Sequence, residues 1–173
     1  IKTIFLDRDG VINKEVNYLH KIDDFKFISG VFETCHHLIN LNYKIIVITN
    51  QSGISRGYYS ENDFKIITQW MIGQFEKNSI NILDVYHCPH LPDSNCNCRK
   101  PQPGMLIEAQ KKHNIDMKKS WLIGDKESDI SAAISSGITN TILVKSGHKI
   151  DVHNSHAKYI IDSVHQSKQI IVN

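Results

Sequence analysis

The chain has 173 residues, of which 40% are apolar, 8% aromatic and 22% charged, with nine Gly and four Pro. That length and mixture fit one globular domain with a sizeable core and exclude wholesale disorder or collagen-like repetition. Twenty Lys and Arg against 18 Asp and Glu leave a formal charge of +2, too little for the electrostatic footprint of a nucleic-acid or anionic-membrane binder, so any anion recognition must be local.

Residues 3–7 form a short apolar run that ends in polar residues and Gly10, which predicts a buried strand feeding a loop. A helix-like stretch over 31–42 follows, then the run 44–49 (KIIVIT), β-branched from Ile45 on, with Asn-Gln-Ser-Gly behind it. Ser60 with Asp63 three residues on marks the start of a helix over 60–78. Residues 82–88 read as a strand, 105–114 as a helix, 120–124 as a strand and 128–136 as a helix stopped by Gly137. Residues 140–144 predict another strand and 159–161 a weaker one, within a C-terminal stretch rich in His, Ser and Lys that is expected to end in a helix. Strand alternating with helix is the pattern of βαβ units with right-handed crossovers. The expectation is a single α/β domain over 1–173, a three-layer Rossmann-like parallel sheet with no segment long enough to form a large inserted cap.

In such a sheet, chemistry gathers beyond the carboxyl ends of the strands. Asp7 and Asp9 leave the first strand two residues apart, and strand alternation would point them oppositely unless the backbone turns, for which Gly10 supplies the freedom. Asp125 and Asp129 follow another strand. Carboxylates converging on one site repel one another unless a cation compensates, and an oxygen-only set favours Mg²⁺. Thr49 and Asn50 carry a hydroxyl and an amide suited to phosphate oxygens. Lys100, before the turn predicted at Pro101, can neutralise carboxylate and phosphate together.

Three of the four cysteines crowd into eleven positions as Cys88-Pro89-His90 and Cys96-Asn97-Cys98, while Cys35 stands alone in a helical stretch and reads as a small buried hydrophobe. Three thiolates and an imidazole make a closed tetrahedral set for a structural Zn²⁺, with His87 as an adjacent candidate for the imidazole. The clustering suits metal binding in a reducing compartment rather than a disulfide framework. No signal peptide is visible, and apolar runs such as 45–48 are far shorter than the roughly 20 residues a membrane span needs. A cytoplasmic protein with no membrane or nucleic-acid partner is expected, and, with no coiled coil or long apolar face, a monomer.

Taken together, Asp-x-Asp-Gly, a Thr after the second strand, a Lys, and Gly-Asp-x-x-x-Asp occur in order over residues 7–129 and resemble the four motifs of the haloacid dehalogenase superfamily. The resemblance implies a HAD-like core in which Asp7 is the nucleophile and becomes an aspartyl phosphate, while Asp9 protonates the leaving oxygen and then activates water. It implies that Thr49 and Lys100 hold the phosphoryl oxygens, and that Asp7, the Asp9 carbonyl and Asp125 ligate Mg²⁺ with Asp129 supporting through water. An acid at the second Asp suits a poor alkoxide leaving group, which favours a phosphatase over a dehalogenase.

The segment Cys-x-His, Cys-x-Cys-Arg-Lys-Pro resembles the zinc-loop branch of that superfamily, which contains heptose bisphosphate phosphatases and histidinol-phosphate phosphatases, and its Cys-x-His favours His90 as the ligand. Asp-Arg-Asp-Gly-Val-Ile-Asn, Thr-Asn-Gln-Ser-Gly-Ile-Ser-Arg-Gly and Gly-Asp-Lys look like the heptose enzymes, with histidinol phosphate as the alternative substrate. The resemblance implies a small phosphorylated sugar contacted by Glu15, Val16, Asn17 and Tyr18 after the first motif and by Asn50, Gln51 and Ser52 after the second. A second phosphate needs cations away from the reaction centre, and Arg99 and Lys126 are the best placed by motif.

Overall fold

A computed structural model describes all of residues 1–173. Six parallel strands form one sheet in the order β3-β2-β1-β4-β5-β6, with β1 at Thr3–Leu6, β2 at Lys44–Asn50, β3 at Ile82–Cys88, β4 at Trp121–Gly124, β5 at Asn140–Val144 and β6 at Tyr159–Ile161. Helices α1 (Val31–Asn40), α2 (Glu61–Lys77), α3 (Gly104–His113) and α4 (Glu127–Ser135) fill the crossovers. All six strands predicted from apolar patterning are present, and the two central ones, β1 and β4, are four residues long and almost wholly buried.

Strand alternation divides the core in two. Ile4, Leu6, Ile45, Val47, Ile123 and Ile142 face a cluster closed by Val31, Cys35 and Leu38 of α1 and Ile67, Met71 and Phe75 of α2. Phe5, Ile46, Ile48, Leu122 and Leu143 face the opposite cluster, closed by Met105, Leu106 and Ala109 of α3 and Ile130 and Ala133 of α4. The result is the expected three-layer α/β/α arrangement. Cys35 is fully buried, and desolvation lifts its thiol to about 12.

Element ends differ from the sequence pattern by a residue or two, and one element differs in kind. The C-terminal helix is a 3-10 turn, Val164–Gln169, in which the Ser167 hydroxyl donates to the Val164 carbonyl at 2.6 Å. Val164 and Ile171 anchor it in the α1 side of the core, so a few buried residues hold the segment where a longer amphipathic face would be needed for a stable α-helix.

β1 and β4 lie side by side at the centre of the sheet, flanked by β2 and β5. The loops leaving these strands therefore meet above one sheet edge, as the topological rule for open α/β sheets requires.

Candidate active site

The β1 exit turns sharply. Ile12 and Asn13 donate their N–H groups back to the Arg8 carbonyl at 2.8 and 3.2 Å, and Gly10 takes a φ of +88° that disfavours any other residue. The turn sends the two aspartates to different surroundings. Asp7 Oδ1 accepts from the Arg8 N–H at 2.8 Å and from Lys100 Nζ at 2.9 Å. Asp9 Oδ1 accepts from Arg8 Nη2 and Asn13 Nδ2, both at 3.0 Å, and its Oδ2 accepts from Gln51 Nε2 at 3.1 Å.

Lys100 reaches Asp7 from the far end of the loop between β3 and α3, and Asn50 at the end of β2 explains how. Asn50 Nδ2 donates to the Lys100 carbonyl and its Oδ1 accepts the Lys100 N–H, each at 3.1 Å. The amide that sequence reasoning offered to phosphate is thus committed to the lysine backbone. The buried ammonium contacts Asp7, the Ile48 carbonyl at 3.2 Å and Asp129 Oδ1 at 2.6 Å. Asp129 accordingly meets Lys100 directly. Its other oxygen accepts the N–H groups of Asp125 at 3.1 Å and Lys126 at 3.0 Å, capping α4.

Asp7, Asp125 and Asp129 offer carboxylate oxygens that all lie within 4.8 Å of one another. Burial and the Asp129 carboxylate push Asp7 well above the ordinary carboxylate range, against the pull of Lys100. Desolvation alone would lower Lys100, but Asp129 and Asp7 outweigh it and hold the ammonium above its usual range. One ammonium against three carboxylates leaves the site short of positive charge. Asp125 Oδ2 is taken by the His148 N–H and by its Nδ1, whereas Oδ1 is buried with no partner. A buried, unpaired carboxylate oxygen beside two further carboxylates is the chemistry of a hard divalent cation site.

The cleft above these groups has a volume of about 220 Å³. It brings together Glu15, Val16, Asn17 and Tyr18 from the β1 loop, Asn50, Gln51 and Ser52 from β2 and its exit, and Arg99, Lys100, Asp125, Lys126 and Asp129. Thr49 is 1% exposed and lies behind the lining, where its hydroxyl accepts from Gln51 Nε2 at 2.8 Å. The cleft also holds Arg56, Tyr59, Ser128 and His148, which sequence reasoning missed. Tyr59 donates to Gln51 Oε1, so the Gln51 amide must turn its NH₂ toward Asp9 and Thr49. His148 follows β5, and the rule that sent attention to the other strand ends would have found it there.

About the zinc-loop residues the geometry is compact. Cys88, His90, Cys96 and Cys98 present donor atoms within 4.8 Å of one another, with Cys88 Sγ 3.7 Å from Cys96 Sγ and 3.3 Å from His90 Nδ1. His87 points elsewhere, to Glu61 at 2.8 Å. Against desolvation, hydrogen bonds from Ser94, the Arg99 N–H and the neighbouring thiols bring Cys96 down to about 6, while burial pushes Cys88 up. Arg99 follows directly and its Nη1 touches the His90 carbonyl at 3.4 Å.

Comparison with known proteins gives four findings. A HAD-hydrolase-like family model matches residues 97–167. The chain is 52% identical over 155 residues to the D-glycero-alpha-D-manno-heptose-1,7-bisphosphate 7-phosphatase of Photorhabdus laumondii, across 86% of this chain and 85% of that protein. It is 42% identical over 168 residues to the D-glycero-beta-D-manno-heptose-1,7-bisphosphate 7-phosphatase of the same organism, across 93% and 89%. Among solved structures, the D,D-heptose 1,7-bisphosphate phosphatase of B. bronchiseptica, complexed with magnesium and phosphate, superposes with a TM-score of 0.86 at 25% identity, across 98% of this chain and 97% of that one.

Proposed function

The chain belongs to the heptose 1,7-bisphosphate 7-phosphatase family of HAD-like hydrolases, and from that membership we propose how its cleft performs the hydrolysis. It removes the C7 phosphate of D-glycero-D-manno-heptose 1,7-bisphosphate, in heptose metabolism that supplies surface glycans. The histidinol-phosphate alternative gains no support from these relatives. The observation that carries the reading is the buried Asp7 carboxylate held by Lys100 beside the unpartnered oxygen of Asp125.

Asp7 attacks phosphorus, the bond from phosphorus to the C7 oxygen breaks, and Asp9 delivers a proton to that oxygen. Asp9 then takes a proton from the water that attacks the aspartyl phosphate, which frees inorganic phosphate and restores Asp7. Lys100 stabilises the phosphoryl oxygens, while Thr49, behind the cleft wall, acts through Gln51, which donates to both the Thr49 hydroxyl and Asp9. Asp7, the Asp9 carbonyl and Asp125 would hold Mg²⁺, which when bound would supply positive charge against the phosphoryl oxygens. Glu15 to Tyr18 with Gln51 and Ser52 contact the sugar, while Arg99 and Lys126 grip the distal phosphate. Cys88, His90, Cys96 and Cys98 would hold a structural Zn²⁺, which would fix the loop that carries Arg99 and Lys100. Three thiols kept available to a metal support a cytoplasmic setting, and no helix is long and apolar enough to cross a membrane.

We assign a preference for the α anomer, on the greater identity to the α-named than to the β-named Photorhabdus enzyme. The test is Mg²⁺-dependent phosphate release from both heptose bisphosphate anomers, fructose 1,6-bisphosphate and histidinol phosphate. The expected order puts the α anomer first and histidinol phosphate last. Preferential turnover of histidinol phosphate would overturn the substrate assignment, and preference for the β anomer the anomeric one.

A further inference from the structure

We propose that His148 is a positioning residue of this site, turning one oxygen of Asp125 toward the metal position and tying the Glu15 segment to the same wall of the cleft. The inference rests on the Mg²⁺ reading above. Both N–H groups that reach Asp125 Oδ2 come from this one residue, the backbone N at 2.9 Å and the ring Nδ1 at 2.6 Å. With Oδ2 doubly engaged, Oδ1 is the oxygen left buried and unpartnered in the carboxylate set. The backbone contact alone leaves the carboxylate free to pivot about its last torsion, whereas the ring contact fixes which oxygen faces inward.

The loop that presents the ring is itself clamped. Ser146 Oγ donates to the Gly10 carbonyl at 2.7 Å, and Gly147 packs so closely on Asp125 that a Cβ there would collide with its carboxylate. From the opposite edge of the ring, Nε2 lies 3.6 Å from Glu15 Oε1. One side chain thus spans from the β4 exit to the β1 loop, the two segments that must agree on where metal and sugar sit.

The measurement is Mn²⁺ binding to the zinc-loaded, substrate-free protein by electron paramagnetic resonance, paired with the Mg²⁺ dependence of turnover. His148→Ala is expected to weaken Mn²⁺ binding by about tenfold and to raise the Mg²⁺ activation constant in parallel, with kcat at saturating Mg²⁺ nearly retained. His148→Asn, whose amide donor falls where Nδ1 does, is expected to restore binding. His148→Gln, which keeps size and polarity but carries its donor past Asp125, is expected to behave like alanine and provides a second reading should alanine fail to fold. Glu15→Gln is expected to raise KM and leave Mn²⁺ binding unchanged. Wild-type Mn²⁺ affinity in His148→Ala or His148→Gln, with binding lost in Asp125→Asn, overturns the role of His148. Wild-type affinity in Asp125→Asn as well overturns the metal reading and this inference with it.

Discussion

Asp7 and Asp9 are separated by one residue, yet one sits among carboxylates and an ammonium and the other among donors from Arg8, Asn13 and Gln51. Such different surroundings suit different work from the same functional group. Asp7→Asn is expected to abolish phosphate release while the melting temperature holds or rises, because the amide cannot attack phosphorus and the variant relieves repulsion with Asp129 and Asp125. Asp9→Asn is expected to lower kcat by about 10²–10⁴-fold through loss of proton transfer. Arg99 is held only by its 3.4 Å contact to the His90 carbonyl, so its charge is free for a ligand. A charge-assisted contact is worth about 1.5–3 kcal/mol. Arg99→Ala is therefore expected to reduce kcat/KM for the bisphosphate by about tenfold or more and to affect a small monophosphate much less. Lys100→Ala is expected to depress both substrates, and equal losses for Arg99→Ala on both would remove it from the distal phosphate.

At the scale of elements, Asp129 joins a helix cap to the reaction centre. One oxygen caps the first turn of α4 and the other pairs with Lys100 at 2.6 Å. Without Asp129 the ammonium still pairs with Asp7, so the loss falls on the cap, which is worth about 0.5–2 kcal/mol. Asp129→Ala is expected to lower unfolding free energy in urea by that order and to reduce turnover together with it, since Lys100 loses one of its two anchors. An unchanged urea midpoint would show that the Asp129 cap contributes nothing to the fold. The elements themselves were legible wherever the pattern was long or fully apolar. Residues 44–49 read as a strand because five consecutive positions, 45–49, are β-branched and buried on alternate faces. The end of α1 at Asn40 was not legible, because Asn42 leaves the helix through a left-handed φ of +64° that neighbouring packing decides.

Across the whole molecule, Lys100 and Asp7 lie 93 positions apart, and the loop that carries Cys96 and Cys98 is the segment that delivers the lysine. Removing zinc with a chelator is expected to free residues 89–100 while the sheet persists, because β3 keeps its pairing with β2, one core contains no loop residue and the other takes only Cys88, with Cys96 and Cys98 at its edge. Hydrogen exchange should then rise over that loop, and KM should rise even at saturating Mg²⁺, with both restored by added zinc. A chelated enzyme with unchanged KM would separate the loop from substrate binding.

The sequence by itself determined the alternation of strand and helix, the two-sided burial of the strands and the polar exits of β1, β2 and β4, because side-chain type and periodicity act over a few neighbouring residues. The Cys-x-His and Cys-x-Cys pairs were equally plain, since their spacing is local. Only the tertiary structure decided that the Asn50 amide brackets Lys100, that Tyr59 orients Gln51, and that His148 closes on Asp125. Asn50 is 50 positions from Lys100 and His148 is 23 from Asp125. No periodicity reaches that far. Which polar groups meet across such distances depends on the order of strands in the sheet and on the loops that fold back over it, and both are set by how the two apolar cores close.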